Sequence, residues 1–185
     1  MKKQIKSRTI KFIVVHCTAG NMNATKEDVL NVFYKDRGWK RPGYHYLITA
    51  DGVQHSLVPE RQLANGAQGY NANSIHIAYT GGVNQKDMRT PQDTRTPAQK
   101  RTLVNLLHLL KRLYPQARVL GHRDLPKVHK ACPSFDVTKE YGREFCKAPL
   151  PSPRKGGRRY PMKGLCSARP SYGIAVGVNL KGYGL

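Results

Sequence analysis

At 185 residues the chain is long enough to bury a core without staples and short enough for one domain with an appendage. Its 32 Lys and Arg against 11 Asp and Glu give a formal net charge of +21, which predicts attraction to a polyanion but does not choose among nucleic acid, an anionic membrane surface and an anionic cell wall. Four cysteines are too few and too scattered for a disulfide framework, and no apolar run approaches the ~20 residues of a membrane span.

The N-terminus is basic, but the apolar run after it, Phe12 to Val15, is too short for a signal peptide and has no small-residue cleavage site. Synthesis in the cytoplasm without a signal peptide is the expectation. Ile10 to His16 reads as a short buried strand, along which His16 and Cys17 face opposite ways. Thr25-Lys26-Glu27-Asp28 is an N-cap with acids in the first turn, predicting a helix to about Arg37 with Val29, Leu30, Val32 and Phe33 on its apolar face. Gly38 stops it. A strand from Tyr44 to Thr49 meets a second, Val53 to Val58, through an Asp51-Gly52 hairpin turn, so this part of the sheet is antiparallel.

Residues 59–73 are polar and glycine-bearing, a surface loop that lines something. Ser74 to Thr80 is another strand, and residues 84–95 are a long exposed loop. Thr96-Pro97-Ala98-Gln99 combines an N-cap, a proline at the first helical position and a capping-box glutamine. The helix they start carries Leu103, Leu106, Leu107, Leu110 and Leu113 on one stripe, and Tyr114-Pro115 ends it. The strand Val119 to His122 follows, and a last helix runs from Asp136 to about Phe145. Helices alternating with strands, plus one hairpin, predict an α/β fold with a mixed central sheet flanked by helices. The expected division is a folded domain over 1–146 and a basic, Pro- and Gly-rich tail over 147–185. That tail holds eight Lys and Arg and no acid, and is expected to be flexible.

Two histidines at strand ends, His16 and His122, and Cys132 in a short loop are a full protein set for catalytic zinc, with the fourth position left to water. Five motifs stand in order around them: Val15-His16-Cys17-Thr18-Ala19, Gly43-Tyr44-His45-Tyr46, Gly69-Tyr70-Asn71-Ala72-Asn73-Ser74-Ile75, Gly121-His122-Arg123-Asp124 and Lys130-Ala131-Cys132-Pro133-Ser134-Phe135-Asp136. In this the chain resembles the zinc N-acetylmuramoyl-L-alanine amidases, in particular the amidase-type phage lysozymes, which share a fold with the peptidoglycan recognition proteins. The resemblance spans roughly residues 8–145. It implies that His16, His122 and Cys132 bind zinc, that Tyr44 stands beside the attacking water, and that Lys130 faces the reacting carbonyl of peptidoglycan. Arg61, Asn71 and Asn73 are candidates for contacts to glycan or peptide. One departure is Gly66, where members of the family often carry a groove histidine.

Other residues have blander readings. His129 is close enough to compete as a ligand, whereas His45, His55, His76 and His108 read as structural or surface residues. Cys17 reads as core, and Cys146 and Cys166 as unligated thiols. The basic tail would suit anionic wall polymers. Nucleic-acid binding is disfavoured because the one long helical stripe is leucine, not a basic recognition face. A monomer acting at the cell wall, reached through a holin-type pore or another route, is the expectation. The alternative is a non-catalytic peptidoglycan-binding module on the same fold.

Overall fold

A computed structural model describes residues 8–145. In chain order the elements are β1 (Phe12–Cys17), α1 (Lys26–Asn31), β2 (Tyr46–Ile48), β3 (Gln54–Ser56), β4 (Ser74–Tyr79), α2 (Pro97–Leu113), β5 (Arg118–Gly121) and α3 (Val137–Phe145). The expectations for the tail and for Cys146 and Cys166 lie outside the described residues.

The five strands form one sheet in the order β3-β2-β4-β1-β5. β1 runs parallel to both β4 and β5, β2 runs parallel to β4, and β3 pairs antiparallel with β2 through the expected hairpin. The sheet is therefore mixed, and its central strands are apolar on both faces because each face is covered. On one face Ile13, Val15, Ile75 and Ile77 pack with Leu103, Leu107 and Leu110 of α2 and with Val137 and Tyr141 of α3. On the other, Leu47 and Ala78 meet Val29 and Phe33 beside α1.

Both N-cap signals act as the sequence implies. In α1 the Asp28 N–H donates to Thr25 Oγ1, and in α2 the Thr96 N–H donates to Gln99 Oε1 while the Gln99 N–H donates to Thr96 Oγ1. Two details of the helix stripes differ from expectation. After Asn31 the first helix continues as a wide π-type turn, Val32–Asp36, and the extra residue in that turn rotates Val32 to the surface while Phe33 stays buried. Leu113 is also exposed. α2 is 17 residues long, about 25 Å, and overhangs strands of at most six residues, about 20 Å.

Two arginines fasten loops to this frame. Arg8 donates to the carbonyls of Glu60, Gln62, Asn71, Ala72 and Ser74, tying the start of the described chain to the 59–73 loop. The 84–95 loop is mostly exposed, as expected, but it ends on Arg95, whose side chain is wholly buried. That guanidinium bridges Asp93 and Glu140 at 2.8 Å each, donates to Tyr141 Oη at 3.0 Å and lies 3.2 Å above the Phe135 ring.

Candidate active site

His16 is the fifth residue of β1 and is buried. Strand alternation turns it away from α2, toward the face shared with Leu47 and Ala78. His122 follows β5 directly and opens a single 3-10 turn, His122–Asp124, held by the Gly121 N–H on Asp124 Oδ2 at 2.8 Å. Because β5 lies beside β1, the two strands deliver their histidines to one place, with ring centroids 4.6 Å apart.

Cys132 comes from the loop before α3, and backbone bonds hold it there. The Arg123 N–H donates to the Cys132 carbonyl at 2.8 Å, Tyr79 Oη donates to the Pro133 carbonyl at 2.6 Å, and Ser134 Oγ donates to the Gly82 carbonyl at 2.6 Å. Gly121 lets this loop approach, since a Cβ there would sit 2.8 Å from Pro133 Cδ. The Cys17 N–H points at the Cys132 sulfur, 3.3 Å away, while the Cys17 side chain is buried as predicted.

The ligand atoms of His16, His122 and Cys132 all lie within 4.8 Å of one another, and His16 Nδ1 is 3.8 Å from Cys132 Sγ. Tetrahedral zinc with ordinary bond lengths separates a nitrogen and a sulfur ligand by about 3.6 Å. The cluster therefore has the size and donor set of a zinc site. The electrostatics of the two histidines agree with ligand duty. Burial, followed by the neighbouring His76, His122 and Lys130, holds His16 well below the ordinary imidazole range, and burial together with Lys130 lowers His122. Both shifts favour the neutral ring, the form in which imidazole ligates a metal. Cys132 differs: the hydrogen bond with the Cys17 thiol and burial push its thiol up, so a metal would have to displace that proton on binding.

The cluster forms the floor of a groove of about 520 Å³, whose walls include Tyr44, Trp39, Asn71 and Lys130. A second hollow of about 720 Å³ shares His122 and Lys130 with it and extends past Tyr70 and Lys127. Tyr44 stacks obliquely on His16, with ring centroids 5.3 Å apart, and its hydroxyl donates to the Cys17 carbonyl at 3.4 Å.

The sequence profile of the N-acetylmuramoyl-L-alanine amidases matches residues 6–135. The chain belongs to that family. It is 33% identical over 127 residues to the endolysin of Enterobacteria phage K11, an alignment covering 68% of this chain and 81% of the relative. Among solved structures it is similar to the N-acetylmuramoyl-L-alanine amidase LysC of Clostridium intestinale URNW, with TM-score 0.61, 28% identity and coverage of 74% and 85% of the two chains. It also matches bumblebee PGRP-SA, with TM-score 0.60 over 83% of this chain and 94% of that one; at 18% identity this likeness speaks for the fold alone.

In this amidase the remaining candidates separate. Asn71 lines the groove, but its Oδ1 is occupied by the Ala67 N–H at 2.8 Å. Asn73 donates to the Thr9 carbonyl at 2.8 Å, and neither it nor the exposed Arg61 is among the groove-lining residues. His129 is exposed in the second hollow and is not in the ligand cluster. His55 and His108 lie away from the groove, and His108 pairs with Glu144 at 2.7 Å. His45 and His76 are fully buried, as structural histidines would be. The sequence reading gave His76 no part in the site, yet its Nδ1 lies 3.0 Å from His16 Nε2. The available signal was a lone imidazole inside the apolar run Ile75-His76-Ile77, a place where a polar group must have a partner.

Proposed function

We propose that this amidase is zinc-dependent and hydrolyses the amide joining the lactyl group of N-acetylmuramic acid to the L-alanine of the stem peptide in peptidoglycan, acting at the cell wall as an endolysin. The observation that carries the reading is the meeting of two imidazoles and a thiol in a groove that Tyr44 and Lys130 also line.

His16, His122 and Cys132 would hold the metal. Zinc, when bound, supplies Lewis acidity toward a carbonyl oxygen and lowers the pKa of a water to about 7. A thiolate ligand donates more charge than a third imidazole, and the Cys17 N–H at 3.3 Å takes up part of that charge. Lys130 supplies a positive charge where the substrate carbonyl oxygen becomes negative. Burial, with Cys132 and Cys17 adding to it, pushes the Tyr44 hydroxyl well above the ordinary phenol range. Tyr44 therefore keeps its proton, which here goes to the Cys17 carbonyl, and by turning it toward the reacting atoms would serve as a hydrogen-bond donor, not as a base.

The test is release of free amino groups from purified peptidoglycan before chelation, after chelation and after zinc is added back. Release should vanish with the chelator, return with zinc and be absent in Cys132→Ser. Lys130→Ala should keep its zinc and lose on the order of 10²- to 10³-fold in kcat, the cost of one oxyanion donor. Release that survives complete metal removal sinks the zinc reading. A zinc-loaded protein that binds peptidoglycan tightly without cleaving it moves the chain to the recognition modules.

A further inference from the structure

The metal site has a partner beneath it. β1 and β4 are parallel, and their register sets Val14 opposite His76 and His16 opposite Ala78, so the two imidazoles share a face of the sheet. Their ring centroids are 5.1 Å apart, and the His16 Nε2 to His76 Nδ1 distance is 3.0 Å.

The tautomers follow from the geometry. His16 Nδ1 faces the Cys132 sulfur, so metal ligation needs a lone pair on Nδ1 and places the proton on Nε2. His76 Nδ1 must then accept that proton, which puts the His76 proton on Nε2. This second nitrogen is buried and has no hydrogen-bond partner among the described residues. His45 cannot relieve it. The His45 Nδ1 accepts the His76 backbone N–H at 3.0 Å, and its Nε2 lies 3.1 Å from the Gln62 carbonyl. The opposite arrangement, with His76 donating from Nδ1, would force the His16 proton onto the nitrogen that faces the metal.

Gly66 completes the arrangement. A Cβ on Gly66 would collide with Cγ and Nδ1 of His76 and come within 2.8 Å of the Gly43 carbonyl. The bare backbone of the 59–73 loop lies on the His76 ring and fixes its position.

We propose that His76 is a positioning residue for the metal. It accepts the His16 Nε2 proton, holds His16 in the tautomer that presents Nδ1, and orients that ring toward His122 and Cys132. Outer hydrogen-bond partners of metal-binding histidines serve this purpose, and losing one typically costs 10- to 100-fold in affinity. The proposal rests on the zinc site advanced under Proposed function, and its test separates the two.

Zinc affinity is measured by competition with a chromophoric chelator, and the cobalt-substituted protein is examined by visible absorption, for the wild type, His76→Leu and His76→Asn. Asn presents Oδ1 where the imidazole has Nδ1, as an acceptor, whereas Leu fills the space without one. His76→Leu should bind zinc about 10- to 100-fold more weakly and show altered cobalt bands. His76→Asn should stay within about threefold of the wild type and keep its bands, a small fraction of that loss. Wild-type affinity in His76→Leu, or equal losses in Leu and Asn, overturns the role of His76. A wild-type protein that takes up no zinc overturns the metal site itself.

Discussion

Among single residues, Gly66 is tied most tightly to the site. The sequence marks it only as a departure, a glycine where relatives often have a histidine. The structure supplies the physical reason, because the imidazole of His76 already occupies the place a side chain would need. Gly66→Ala should therefore act as overpacking, costing about 1–3 kcal/mol in urea unfolding. It should also weaken zinc binding, since relief requires the His76 ring to move away from His16. An alanine variant with unchanged stability would mean that the loop lifts off the ring at little cost. The meeting of His16, His122 and Cys132 is legible in the sequence, because each sits at a strand end or in a loop motif where a rigid sheet can aim it. His76 is not, because its partnership depends on the register between two strands 60 residues apart in the chain. Local pattern carries no information about that register.

At the level of elements, local signals were read well and long-range ones poorly. The N-caps of both helices, the Asp51-Gly52 hairpin and the leucine stripe of α2 are properties of short windows, and they appear where the sequence puts them. The π-type turn after α1 and the overhang of α2 are settled by what packs against them, so Val32 and Leu113 were misplaced. Arg95 was missed for the same reason. In sequence it is one more cation at the end of a polar loop, yet its charge is neutralised by Asp93 nearby and by Glu140 on α3. Arg95→Met keeps the apolar stem and removes the charge that holds the 84–95 loop to α3. The two carboxylates are each about one-third exposed and can turn to water, which lowers the penalty from that of a fully buried pair. The expected loss is about 2–3 kcal/mol in urea unfolding, with α3 and the loop gaining the most in hydrogen exchange. An unchanged unfolding midpoint would refute the linkage.

For the whole molecule, a column of buried neutral histidines makes stability depend on pH. His45, His76 and His16 line up toward His122 and Cys132, with successive ring centroids 5.8 and 5.1 Å apart. Burial depresses all three, and His45 falls from 6.5 to about 4. The unfolded chain takes up protons at these rings once the pH drops below about 6.5, whereas the folded chain resists until the pH is much lower. Their contribution is thus intact above pH 6.5 and is lost progressively as the pH falls toward 4. For His45 alone that amounts to something on the order of 3 kcal/mol. The Tm of the zinc-free protein should fall between pH 7 and 5, and His45→Asn, which retains an acceptor for the His76 N–H, should flatten the fall. A Tm independent of pH across that range would show that these rings titrate alike in both states.

The Arg8 clamp carries a consequence for how the protein is handled and cleaved. One guanidinium answers four carbonyls of the 59–73 segment, which has few hydrogen-bonded ladders of its own, and a fifth at the start of β4, and that segment supplies one wall of the groove. A nick between Arg8 and Thr9, or a truncation that begins at Thr9, would remove none of the described core residues and none of His16, His122 and Cys132. It would nevertheless unlatch residues 59–73, lay the His76 ring open to solvent and leave a folded domain with a slack substrate channel. The integrity of the catalytic face is thus vested in a residue that precedes the first strand.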